Sequence, residues 1–217
     1  MFKVEPTSSL CGALTFEIEG NSNPQSQYYS RQIRLSQDEK VIIGRGYDLS
    51  SEQSKQILED FRNIGFSQRK SEILYKASGL HGRDALHFVK MHKGDIILTA
   101  EQEIQLFQIT YNKYDKKLTD LLHASRRRFG VIDKDEIEQY QWDVLIDFLF
   151  VDELYGKTLD IVIVTLQKAI KQNKPRLFNV LISDVEYWVK AGLNLERAKK
   201  RAIYVQEWKR CQGKCFY

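Results

Sequence analysis

Apolar residues recur with a helical period over most of the chain and alternate in the manner of a strand only near its N-terminus. The first periodic stretch runs from Thr7 to Glu19. Leu10, Leu14 and Ile18 form an i, i+4, i+8 stripe, Ser8 or Ser9 can cap it, and Gly20 with Asn21 ends it, so a short helix is expected. A polar segment, Asn21 to Gln27, leads into two β-leaning runs, Tyr28 to Leu35 and Lys40 to Ile43. The turn-like Ser36-Gln37-Asp38-Glu39 between them predicts a hairpin, which Gly44 to Asp48 closes. Ser50 with Gln53 has the spacing of a capping box and predicts a helix ending near Gly65.

From there the pattern is helical nearly to the end. Ser67 opens a segment to about Ser78, and Gly79, Gly82 and Gly94 punctuate a looser region. Thr99 and Gln102 form a second capping box, before a helix that carries Leu106, Phe107, Tyr111, Tyr114 and Leu118 and is broken by the basic run Ser125 to Arg128. Asp133 and Glu136 introduce the strongly apolar Ile137 to Leu154, expected to be the buried central helix. Leu159 to Gln172, Pro175 to Val189 and Leu195 to Arg210 follow. The architecture is α+β within one domain over 1–217. Its N-terminal helix and hairpin occupy about 1–65, and a larger helical part occupies about 66–217.

Composition narrows the class. Hydrophobic residues at 42%, charged residues at 29% and only three prolines exclude a disordered chain. The net charge of +4 suits attraction to polyanions: a phosphorylated or teichoic-acid-bearing wall, nucleic acid, or a membrane surface. No apolar run reaches the length of a signal peptide or a membrane span. A protein of this kind that acts outside its cell is therefore expected to use another delivery route. Cys11, Cys211 and Cys215 lie near the two ends, either as reduced thiols or as a terminal staple in an oxidising periplasm. Cys211 and Cys215 lack companion ligands for zinc, so neither metal nor cofactor is expected. His81, His87, His92 and His123 show no ligand-like or triad-like grouping and read as core or surface residues. Trp142, Trp188 and Trp208 fall on apolar helical faces and read as core. Arg126 to Arg128 read as a solvated or wall-facing patch, and nucleic acid is not an expected partner.

Chemistry points to one segment. Glu19 ends the first helix, and Asp48 follows a glycine-bent loop, Gly44-Arg45-Gly46-Tyr47, 29 positions later (48 − 19). Glycosidic bonds are cut by such carboxyl pairs: one stays protonated to supply the leaving oxygen, and the other stays ionised to activate water or stabilise positive charge. By residue type alone this is one pair among 29 acids.

A helix ending Glu-Gly, a hairpin, then Ile43-Gly44-Arg45-Gly46-Tyr47-Asp48-Leu49 resembles the catalytic opening of phage-type lysozymes, in the version found in pesticin-like muramidase toxins. The order of Gly79-Leu80-His81-Gly82 with Ala85, the apolar helix Gln141 to Phe150 and the late Asn194-Leu195-Glu196-Arg197 segment extends the resemblance over most of the chain. The resemblance implies a lysozyme-like fold with a cleft between its two parts. It also implies inverting hydrolysis of the β-1,4 bond between N-acetylmuramic acid and N-acetylglucosamine, with Glu19 as general acid and Asp48 as the partner that positions or deprotonates water. Arg197 is the implied electrostatic partner of Glu19, and Arg45, Tyr47 and Phe150 are implied substrate contacts. Glu17 is an alternative acid that lacks the adjacent glycine. The implied partner is bacterial peptidoglycan, reached by a monomer after holin release or toxin-type delivery, with an immunity protein or delivery machinery as further partners. Two positions depart from the family. Ile42 stands where a threonine six positions before the aspartate would hold the attacking water, and Val151 stands where an amide often touches substrate. A weak or inactive peptidoglycan-binding relative is the alternative that Ile42 keeps open.

Overall fold

The computed structural model describes residues 11–211 and the side chains of residues 11–207. It is mostly helical, with one small antiparallel sheet, and so α+β. Two compact units make it up. One, the sheet unit, spans Glu19–Asn112; the other, the helical unit, combines residues up to Ile18 with those from Lys113 onward. The division falls inside two helices, and residues 66–112 belong with the sheet.

The sheet unit follows the end of α1 (Ala13–Glu19). Residues 7–10 of the expected first helix lie outside the described residues. The hairpin forms as expected from β1 (Arg34–Leu35) and β2 (Val41–Ile43), but a third strand, β3 (Tyr47–Asp48), pairs with β2. Its two residues sit in the stretch read as a closing loop, where Gly44 and Gly46, both at positive φ, reverse the chain. Val41, Ile43 and Tyr47 face the core with Ile57 and Phe61 of α2 (Ser54–Asn63). The expected capping box at Ser50 and Gln53 does not form: Ser50 Oγ accepts the Val41 N–H at 2.8 Å, and Gln53 caps α2 without a side-chain bond. The sheet wins that hydroxyl because Ser50 follows β3 directly. Next come α3 (Gln68–Leu74), capped by Ser67, a short 3₁₀ turn, and α4 (Gly82–His92), which packs on β1 and β2. The region read as loose around Gly82 is thus the start of a helix.

Thr99 and Gln102 cap α5 (Ala100–Phe129) reciprocally, at 3.0 and 3.1 Å, as their spacing predicts. The basic run does not break α5. Arg126 to Arg128 occupy its last turn, where cations favour the helix dipole, and Gly130 at φ 85° ends it.

In the helical unit, α6 (Gln139–Phe150) is buried nearly throughout, as expected of a central helix. Its Gln141 side chain accepts the Glu138 N–H at 3.1 Å, while Asp133, expected with Glu136 to introduce it, caps the 3₁₀ turn 134–136. Then follow α7 (Gly156–Lys171), α8 (Arg176–Ser183), α9 (Val185–Lys190) and α10 (Leu195–Cys211). The single helix expected over Pro175 to Val189 is two, because Asp184 leaves helical geometry and caps the second by accepting the Tyr187 N–H at 3.0 Å. α10 packs on α6, α8 and α9. Trp142 and Trp188 are buried, as their helical faces predict; the Trp208 side chain lies outside the described residues.

Candidate functional site

Antiparallel register puts three side chains on one face of the sheet. Arg34 pairs with Ile42 and Ile42 with Asp48, and residues directly opposite each other in a ladder share a face. Ile42 and Asp48 are therefore neighbours across the strands, both half-buried, on the side away from the core residues Val41, Ile43 and Tyr47. The position where a threonine is implied does face the aspartate, and it holds a hydrocarbon.

Asp48 is held by three donors. The Ser51 N–H donates to Oδ1 at 2.9 Å, the Ser51 hydroxyl to Oδ2 at 2.6 Å, and Lys40 Nζ to Oδ2 at 3.2 Å. Lys40 Nζ also donates to Ser51 Oγ at 3.1 Å, which closes a triangle of charge and hydroxyl. The bond from Ser51 is a local turn that an aspartate makes readily with backbone three residues on. Backing comes from the segment Ser78 to Gly82. Gly79 N–H donates to the Ser50 carbonyl at 2.8 Å, Ser78 Oγ to the Glu52 carbonyl at 2.6 Å, and Gly82 N–H to the Glu39 carbonyl at 2.9 Å.

Glu19 is the last residue of α1, half-buried, and its charge acts on the buried Arg34 guanidinium. Burial draws the Arg34 pKa down, Glu19 and Glu103 work to raise it, and Arg45 lowers it. Arg34 Nη1 donates to the Gly44 carbonyl at 2.9 Å, so this cation braces the turn between β2 and β3. Glu17, the alternative acid, is exposed on α1.

Two implied substrate contacts are corrected. Tyr47 is 1% exposed, donates its hydroxyl to Asp60 at 2.6 Å and meets the Phe61 ring edge-on at 5.5 Å, so its ring offers no face to a sugar. Burial and then the Asp60 bond raise its pKa far above that of an ordinary phenol. Arg45 is also buried: its Nε donates to Glu103 Oε1 at 3.1 Å, and its guanidinium lies against Gly20. The strand that carries Asp48 turns Tyr47 inward by simple alternation, and Arg45 turns in because a buried carboxylate receives it.

The other implied residues belong to the helical unit. Arg197 binds Asp147 through Nε at 3.0 Å and Nη2 at 2.7 Å. Arg201 Nε at 2.6 Å and Thr15 Oγ1 at 3.0 Å complete the shell of that carboxylate. Burial works to raise the Asp147 pKa, but Arg197 and Arg201 prevail and hold it below the usual range. Phe150 is half-buried, its ring 4.6 Å from that of Tyr114 and 6.0 Å from the Arg197 guanidinium. Val151 follows as the C-cap of α6.

Sequence reasoning passed over Arg34, Lys40, Ser51, Glu103 and Asp147. Arg34 had a signal: it is the outward residue of the alternation Ile33-Arg34-Leu35. Glu103 had none, since an acid in the first turn of a capped helix reads as solvated. Cys11 is exposed, and the side chain of Cys211 and all of Cys215 lie outside the described residues, as does any staple through them. His81, His87 and His123 are exposed and His92 is half-buried. Among the described residues no group of three or more His, Cys, Asp or Glu is placed to hold a metal ion, and no helix is long and apolar enough to cross a membrane.

No curated protein matches the chain. Residues 12–202 match the model of a family described as a domain of unknown function (DUF8812), and the chain belongs to that family.

Proposed function

We propose that the protein is a peptidoglycan muramidase with a lysozyme-like fold, hydrolysing the β-1,4 bond between N-acetylmuramic acid and N-acetylglucosamine with inversion. Glu19 is the general acid and Asp48 the ionised partner. The observation that carries this reading is the cross-strand pairing of position 42 with Asp48, in the same unit as Glu19, whose charge reaches the Arg34 that pairs with Ile42 on its other side. The order of groups is the one the chemistry needs: a carboxyl at a helix end and a carboxylate on a strand, with the water-holding position beside the second. Three donors converge on the Asp48 carboxylate, and one of them is a lysine.

In this reading Glu19 gives its proton to the leaving glycosidic oxygen while Asp48 takes one from the attacking water, so that the new hydroxyl arrives on the opposite face of the sugar. Peptidoglycan is the partner. Delivery by holin release or by a toxin-type route, and an immunity protein in the producing cell, are parts of the same proposal. The test is release of new reducing ends from purified sacculi. Wild type is expected to release them, and Glu19→Gln to lower the rate by about 10²-fold or more. Equal release by both would remove Glu19 from the role of acid.

Ile42 favours a second reading, in which the site binds glycan without cutting it. A branched hydrocarbon beside Asp48 offers no hydrogen bond to a water. That reading predicts capture on sacculi by wild type with no new reducing ends.

A further inference from the structure

We infer that Glu103 and Arg45 are positioning residues for Glu19: a buried carboxylate grips the two residues after Glu19 and so determines where its carboxyl stands. The inference rests on Glu19 being the acid and adds to that reading two side chains that it does not contain. Three observations carry it. First, the Arg45 guanidinium lies so close to Gly20 that a Cβ there would stand 1.9 Å from Nη1, 2.5 Å from Cζ and 2.9 Å from Nη2. Gly20 is glycine for space, since no positive φ is recorded for it. A guanidinium in solvent would swing aside, but this one is buried and tied through Nε to Glu103 Oε1 at 3.1 Å, so making room breaks a buried ion pair.

Second, Glu103 is itself fixed. Its side chain is 3% exposed and receives Ser30 Oγ at 2.5 Å and Arg31 Nε at 3.2 Å. Third, the Ser30 N–H donates to the Asn21 carbonyl at 3.0 Å. One carboxylate on the first turn of α5 thus reaches Gly20 through Arg45 and Asn21 through Ser30, holding the chain where it leaves the end of α1. A displacement of about 1 Å in a reacting group can cost about 10²-fold in rate. The strut touches no sugar, so its loss acts on turnover rather than on binding.

The test compares wild type with Glu103→Gln, and with Gly20→Ala and Arg45→Ala singly and together, in the reducing-end assay on sacculi and in thermal melts. Glu103→Gln is expected to melt cooperatively, to keep KM within about twofold and to lower kcat about tenfold or more. Gly20→Ala and Arg45→Ala are each expected to lower kcat, and the double variant to fall no lower than the worse single, because the two groups act as one unit. A Glu103→Gln enzyme with unchanged kcat, or single losses that multiply in the double variant, would overturn the inference while leaving Glu19 as acid. Should Glu103→Gln fail to fold, the Gly20 and Arg45 cycle decides alone. Wild type that releases no reducing ends defeats the reading of Glu19 itself, and this inference with it.

Discussion

Asp147 and Asp48 are both aspartates bound by cations, and their surroundings make them different kinds of group. Asp147 is fully buried and bound by two arginines, one of them through two nitrogens, with a threonine hydroxyl beside them. Asp48 has a side chain 29% exposed and is bound by a lysine and a serine at the end of a strand. Planar guanidinium groups suit a dry carboxylate because they satisfy it in fixed directions, whereas an ammonium on a flexible stem can yield to a substrate. Burial with arginine marks a carboxylate that holds helices together, and partial exposure with lysine marks one that can meet a ligand. The same contrast recurs inside the sheet unit, where Glu103 has the first kind of surroundings.

The largest expected effect breaks the buried member. Asp147→Ala leaves Arg197 and Arg201 without their shared anion in the core and should cost about 3–5 kcal/mol in urea unfolding. Asp48→Ala, on the same measurement, should cost within about 1 kcal/mol, the range of exposed pairs. Equal costs would erase the distinction. Acid should separate the two proteins further. The Asp147 pKa in the folded state lies below its unfolded value, so its contribution is fully present above the unfolded value of about 4 and is lost as pH falls through the folded one. Asp147→Asn should therefore be less stable than wild type at pH 7 and lose less of its remaining stability toward pH 2, as followed by urea midpoints. An acid slope unchanged by the substitution would show that Asp147 does not carry that loss.

How far these features can be read from the chain depends on the range of the interaction. The Thr99 and Gln102 cap was legible because both partners lie within one turn, and so were the β1–β2 hairpin and the burial of α6, which are patterns of period 2 and of continuous apolarity. β3 was not, because two residues after a glycine-bent turn carry no periodicity; only pairing with β2 makes them a strand. Ser50 was misread because its hydroxyl serves a strand nine residues back rather than the helix in front. Asp147 hides inside an apolar run, and its importance lies in arginines 50 and 54 positions away. In the candidate site, the Glu-Gly and Gly-Tyr-Asp spacing drew attention to Glu19, Ile42 and Asp48. The inward turn of Arg45 depended on Glu103, which no local signal links to it, and that of Tyr47 follows by alternation only once β3 is paired.

A middle-sized effect sharpens the reading of Asp48 as the reachable group. Ile42→Thr puts a hydroxyl across the ladder from Asp48, where an attacking water can be held, and exchanges a half-buried hydrocarbon for it. The expected result is about a tenfold rise in the rate of reducing-end release, since better placement of one reactant is worth about that much or more. No rise, with the protein folded, would mean that water at this site is not held from position 42.

The smallest effect concerns Lys40. Its Nζ sits 3.2 Å from Asp48 Oδ2, and the two side chains are 31% and 29% exposed, so solvent screens much of their attraction. Lys40→Met should change stability by less than about 1 kcal/mol, and raising the salt should remove most of that difference. Its effect on the rate should be felt through the anion it faces. With the ammonium gone, the Ser51 hydroxyl and N–H remain to hold the carboxylate, and the rate of reducing-end release should fall by less than about tenfold. A Lys40→Met protein that unfolds as readily as Asp147→Ala would show instead that Asp48 and Lys40 are built into the fold, and the exposed pair would then belong with the buried one.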